Sequence, residues 1–206
     1  MAATETARGA QRVPQGERSR ATRARLLDAT IGCLIQHGYA GTTTTLVSER
    51  AGVSRGAQLH HFPTKAALVV AAVDHLFEQR SAELAAPVDV LPTRRRTRVA
   101  LDVLDDLVTG AAFQAALELW VAARTDPSLL AAVKPLEQRL GRETHRCAVE
   151  LLGVDESRPG VRPLVQATLD LLRGLGLAAT LSDDRARRTR ILDAWALALD
   201  ESWEQP

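Results

Sequence analysis

From about Ser19 to Trp203, apolar side chains return every three or four residues, and no stretch alternates apolar with polar between turn signals. A period near 3.6 lines one face of a helix, whereas a half-buried strand needs a period of two. The chain therefore reads as all-α, with glycines and prolines cutting it into about nine helices. Ala24, Leu27, Ile31 and Leu34 mark the first, which His37-Gly38 closes with a glycine suited to the C-terminal cap. Two short helices follow, 46–51 and 55–62, separated by Gly52. A long one runs from Lys65 to about Ala85. Further helices are expected over 93–109, 112–124, 126–152, 163–181 and 184–203, with a linker between Pro87 and Pro92 and a charged, proline-containing loop over 155–163.

The longest strictly apolar run, 66–73, is far short of the roughly 20 residues that span a bilayer. The N-terminus lacks the apolar segment of a secretory signal. Cys33 and Cys147 stand far apart without metal-type spacing, which points to two buried thiols in a reduced, cytoplasmic protein and to no metal site. The net charge of +1 hides an asymmetry. Residues 1–65 hold nine Arg/Lys against four Asp/Glu, whereas 66–206 hold 17 against 21. A basic first third suits nucleic acid, and the acidic remainder must serve something else.

The segment 46–62 is the sharpest local signal. A short helix, a tight turn at Ala51-Gly52-Val53 and a second short helix form a helix-turn-helix unit, with Val47, Ala51, Val53 and Phe62 as its small core. The second helix can present Arg55, Gln58 or Ala57, and His60 to base edges in a major groove. An ordinary helical hairpin in a bundle is the alternative. Arg8, Arg12, Arg18, Arg20, Arg23 and Arg25 precede the unit, against Glu5 and Glu17, and such an arm binds DNA through counterion release.

The stretch 42–56, then His61-Phe62, Lys65 and Leu68, with His37-Gly38-Tyr39 before it, resembles the DNA-binding domain of the tetracycline-repressor-like (TetR) regulators. The likeness covers about residues 20–68. It implies an all-α homodimer in which three N-terminal helices bind DNA and a variable C-terminal domain binds a small ligand and dimerises. The expected organisation is a flexible basic arm, 1–18; a helix-turn-helix domain, 19–66; and a helical regulatory domain, 67–206.

Matched position by position, the resemblance implies that Thr42, Thr43 and Thr44 open the second helix at the phosphates. Ser54, Arg55, Gly56 and Ala57 form the first turn of the recognition helix, with Arg55 the candidate guanine reader, because a guanidinium fork matches O6 and N7. His60 and His61 fall near the groove and backbone, and Lys65 would hold a phosphate. Gln58-Leu59 departs from the pattern of an apolar residue followed by a tyrosine. Gln58 can read a base or face the core, and the tyrosine hydroxyl is missing.

Beyond residue 100, Leu104, Val108, Phe113, Leu117, Glu118, Trp120, Val121 and Leu140 are the candidate ligand-binding residues, because polar groups punctuate apolar helices there. Leu164, Thr168, Leu172, Leu175, Ile191, Trp195 and Leu199 stripe the last two helices and are the candidate dimer interface. No nucleophile elbow, HExxH, Walker loop or GxGxxG is present, so an enzyme is not expected, and neither is a cofactor. The leading expectation is a homodimeric repressor released from a palindromic operator by a small apolar or amphipathic ligand. The long fourth helix would carry the signal. The alternative is a DNA-binding regulator without a small-molecule effector, controlled by a protein partner.

Overall fold

The computed structural model describes residues 14–85 and 95–204. Among them every regular element is helical: α1 (Gln15–Gly41), α2 (Thr44–Ala51), α3 (Arg55–His61), α4 (Lys65–Ala85), α5 (Arg96–Thr109), α6 (Ala111–Ala123), α7 (Pro127–Leu152), α8 (Val161–Ala179) and α9 (Arg185–Glu204). Helix α1 starts at Gln15 and not near Ser19, so residues 15–18 of the expected arm are helical, and residues 1–13 lie outside the described residues. So does the whole expected linker between Pro87 and Pro92.

The predicted stop at Gly38 is a kink. Gly38 adopts φ 65° and ψ 178°, after which one more turn reaches Gly41. A positive φ suits glycine, the one residue without a Cβ to clash. Gly52 uses the same freedom, at φ 61°, to turn α2 into α3.

Three buried clusters run along the molecule. Leu26, Leu27, Cys33, Val47, Phe62 and Leu68 pack α1 to α4 at the N-terminal end. Leu34, Val69, Val73, Leu119, Val133 and Leu140 join α1 and α4 to α6 and α7. Leu101, Leu104, Leu151, Val165, Leu172 and Leu199 unite α5, α7, α8 and α9. Burial pushes the thiols of both Cys33 and Cys147 above their ordinary value.

The middle cluster changes the expected wiring. Helix α4 does connect the two ends, packing on α6 and α7, but the most extensive contact between any two described helices is α1 against α6. The N-terminal helices are therefore held from two sides.

Helices α5 and α8 approach closely at Gly176. A Cβ there would lie 2.2 Å from the Val108 carbonyl oxygen. Gly176→Ala should lower unfolding stability by about 1–3 kcal/mol, the usual cost of overpacking. Gly141→Ala, with nothing within 4 Å of the added carbon, should be neutral or stabilising. Parallel denaturant titrations check both.

Candidate nucleic-acid interface and the cavity behind it

Helix α3 begins because Ser54, extended at φ −65° and ψ 149°, turns its Oγ to accept from the Ala57 amide at 3.2 Å. Thr43 does the same for α2, accepting from the Leu46 amide at 3.1 Å. Both cap residues are exposed, and Thr44 opens α2 half-buried. The uncapped first-turn amides of α2 are groups that phosphate oxygens can accept from.

Side-chain exposure sorts the residues of α3. Arg55, Gly56, Leu59 and His60 are exposed, Ala57 and His61 are half-buried, and Gln58 is fully buried. The buried Gln58 amide donates to the Phe62 carbonyl at 2.7 Å, and its Oε1 has no hydrogen-bond partner. Gln58 therefore faces the core, because the burial of Val47 and Phe62 fixes the roll of this helix. It is removed from the base-reading set. Arg55 has no side-chain hydrogen bond or ion pair within the described residues, which leaves all five N–H groups available. Gln58→Leu should leave operator affinity and sequence preference within about twofold of wild type. A base-reading glutamine would instead lose about 1–3 kcal/mol at one position. A binding titration on matched and mismatched duplexes decides.

Two further residues change role. Thr42 is buried, and its Oγ1 donates to the Gly38 carbonyl at 2.7 Å, so it closes the α1 kink and does not face phosphate. The Lys65 ammonium donates to the Tyr39 carbonyl at 2.6 Å and lies 4.1 Å from the Tyr39 ring centroid. Half-buried, the amine needs such a partner, and desolvation holds its pKa below the ordinary lysine value. Its observed work is to tie α4 to α1.

The backbone of the same residue is held by a second contact. Glu118 on α6 accepts from the Tyr39 amide at 3.1 Å, and a Cβ on Gly38 would come within 2.8 Å of its carboxylate. Glu118 is thus no ligand residue. It fastens α6 to the α1 kink, beside the Lys65 contact.

On its other side α6 lines a cavity of about 70 Å³, walled by Phe77, Val108, Phe113, Ala116, Trp120 and Leu140. Phe113 and Trp120 meet edge to face at 6.0 Å. Arg80, Glu137, Thr144 and Arg173 supply the polar groups, and Glu137 Oε2 is buried without a hydrogen-bond partner. Val108, Phe113, Trp120 and Leu140 come together here as expected from the apolar spacing. The other candidates do not. Leu104 belongs to the core around α8, Leu117 lies outside the lining, and Val121 is 59% exposed. Phe77 meets Phe113 and Trp120 here from the far part of α4, whereas Arg80, Glu137, Thr144 and Arg173 were missed, because a sequence does not show which polar faces of α4, α7 and α8 converge.

The interface stripe also divides. Thr168, Leu172, Leu175 and Leu199 are buried within their own chain and are core. Leu164, Ile191 and Trp195 remain half-buried, the last donating from Nε1 to Thr168 Oγ1 at 3.0 Å. Leu171, Ile191, Ala194 and Trp195 line an open apolar groove between α8 and α9, rimmed by Arg187 and Arg190. Leu177 and Leu197 are 51% and 67% exposed on these two helices. On α8 the outward apolar residues are Leu171 and Leu177 and not Leu172 and Leu175, whereas on α9 Ile191 and Trp195 of the expected stripe do face the groove.

Comparison with known proteins agrees with this architecture. Residues 26–72 match the profile described as bacterial regulatory proteins, tetR family. The HTH-type transcriptional regulator CymR of Pseudomonas putida is 32% identical over 199 residues, covering 88% of this chain and 90% of that protein. A Pseudomonas aeruginosa structure classed as a transcriptional regulator superposes with a TM-score of 0.70 at 24% identity, covering 92% of this chain and 93% of the other. The multidrug-binding protein EbrR, solved with ethidium, superposes at 0.63 and 24% identity over 84% of this chain and 97% of its own.

Proposed function

The chain belongs to the tetR family of bacterial regulatory proteins, non-enzymatic DNA-binding transcriptional regulators, and we propose that it is a homodimeric repressor released from a palindromic operator by a small apolar or amphipathic ligand. It works in the cytoplasm, where bacterial DNA lies. The observation that carries the ligand is the two-sided position of α6. One side walls the cavity with Phe113, Ala116 and Trp120, and the other holds the Tyr39 amide through Glu118.

The size of the cavity supplies the coupling. Small-molecule sites enclose roughly 300–1,000 Å³, and this one encloses about 70 Å³. A ligand enters only by driving α6 apart from α4 and α7. Because α6 and α4 both hold the α1 kink, that displacement moves the DNA-binding helices. The ligand then binds the released conformation better than the DNA-bound one, as any effector must. EbrR, which shares this fold, is solved with ethidium, and a planar, amphipathic compound is the ligand class proposed here.

The test is a thermal-shift screen with a panel of apolar and amphipathic compounds that do not intercalate in DNA, followed by operator titration with each stabilising compound. The expected result is a compound that quenches Trp120 fluorescence and weakens operator binding over the same concentration range. Compounds that stabilise the protein yet leave operator affinity unchanged contradict ligand release. A screen without any stabilising compound favours the regulator controlled by a protein partner.

A further inference from the structure

The aromatic cavity has an outer neighbour. A groove of about 670 Å³ runs between α7 and α8, and Gly141 and Arg173 line both hollows. Gly141 lies inside α7, where glycine weakens a helix relative to alanine. Its φ is not positive, and nothing lies within 4 Å of an added Cβ. Neither conformation nor packing demands glycine there, so the wall that both hollows share is open at this residue. Arg173 reaches the same wall from α8. It donates to Asp170 at 3.0 Å, its one hydrogen bond among the described residues, and its other N–H groups remain available. The two hollows differ in charge. Arg142, Arg146, Arg162 and Arg173 line the groove against Glu150, Glu156 and Asp170. Each of these carboxylates is already engaged: Glu156 by His145 and by Arg162 at 3.6 Å, Asp170 by Arg173, and Glu150 by Arg146 at 3.9 Å. Arg142, next to Gly141, has no partner among the described residues. In the cavity, by contrast, Glu137 Oε2 is buried without a hydrogen-bond partner, and Arg80 is already engaged. An anion seated there would lose water and face that oxygen.

We propose that groove and cavity are the two halves of one ligand site, joined past Gly141: the apolar end of the ligand seats among Phe77, Phe113 and Trp120, and an anionic end stays in the groove on the Arg173 guanidinium, with Arg142 as the second cation. A guanidinium donates two parallel N–H bonds to an oxyanion, which fixes the head while the rings go inward. The apolar end passes Gly141 and then drives α6 aside. The inference rests on the ligand-release reading of the cavity and narrows its ligand to an amphiphile with an acidic head.

The test uses the full chain carrying Trp195→Phe and Trp203→Phe, which leaves Trp120 as its one tryptophan. The probes are anilinonaphthalene sulfonate and N-phenylnaphthylamine, which share their rings and differ by the sulfonate. Both should quench Trp120 as they bind. Arg173→Gln should lower affinity for the sulfonate by about tenfold, the usual loss of a charged hydrogen bond, and leave the neutral probe within about twofold. Gly141→Leu should keep its helicity, since nothing crowds the new side chain, and should slow association of both probes by at least about tenfold. Equal effects of Arg173→Gln on the two probes overturn the acidic head. Wild-type association in Gly141→Leu overturns the passage. A probe that binds without quenching Trp120, or a parent chain that binds neither, overturns instead the cavity reading on which the inference rests.

Discussion

Leu171→Glu combined with Ala194→Glu should turn the protein into a folded monomer and weaken operator binding by at least about 100-fold. Both positions line the groove between α8 and α9, Ala194 exposed and Leu171 half-buried at the edge of the core. In the proposed dimer the outer sides of these two helices pack against their copies in a four-helix bundle. Four carboxylates, two from each subunit, would then be taken out of water in an apolar contact with only the rim arginines Arg187 and Arg190 near them, at a cost of several kcal/mol. Losing the second half-site removes the avidity that joins two weak contacts into one strong one, a factor of roughly 10²–10⁴. Sedimentation velocity reads the assembly, helicity reads the fold, and a gel shift reads the operator. A double variant that sediments like the wild type would move the interface elsewhere. Leu172 and Leu175 are unsuitable for this test, since their burial within the chain makes glutamate there a folding defect.

Arg55→Ala should cost about 1–3 kcal/mol in each half-site, and about twice that for the dimer, while erasing preference at one base position. The guanidinium is exposed, stands at the first position of α3 and has no partner within the described residues. It meets the bases already unencumbered, so no internal contact is lost with it. Stability should therefore stay unchanged. Because the contact is to a base edge, the loss should appear on the selected operator and be small on unrelated DNA. A uniform loss on all sequences would make Arg55 a phosphate contact.

The helices were legible in the sequence wherever an end carries its own chemistry. Asp126 accepts from the Ser128 and Leu129 amides ahead of Pro127, and Gly153 takes a left-handed φ at the other end, so α7 runs between the residues expected. The start of α1 carries no such signal. Pro14 makes no side-chain cap, and the first turn lacks the apolar period on which the prediction relied. The start of α3 was legible at Ser54, since its cap to the Ala57 amide is local chemistry. The fate of Gln58 was not, because a polar residue at a core position is resolved only when a carbonyl such as that of Phe62 comes within reach.

Long-range partners were the least legible. Apolar spacing placed Leu172 and Leu199 on the apolar faces of their helices but could not tell an internal face from an external one. The role of Glu118 depends on the Tyr39 amide, 79 residues away, and Lys65 meets the Tyr39 carbonyl from 26 residues away. Only the folded chain brings an α6 carboxylate and an α4 ammonium to one kink, held open by a glycine that accepts φ 65°.

The most direct measurement is selection of duplexes from a random pool by the full-length protein, with stoichiometry determined on the enriched sequence. An inverted repeat is expected, with half-site centres about one helical turn apart or a multiple of it, bound by two protomers and lost steeply as salt rises. Enrichment of a single asymmetric site bound by one protomer, or of no sequence at all, would contradict the account of a two-fold DNA-reading repressor.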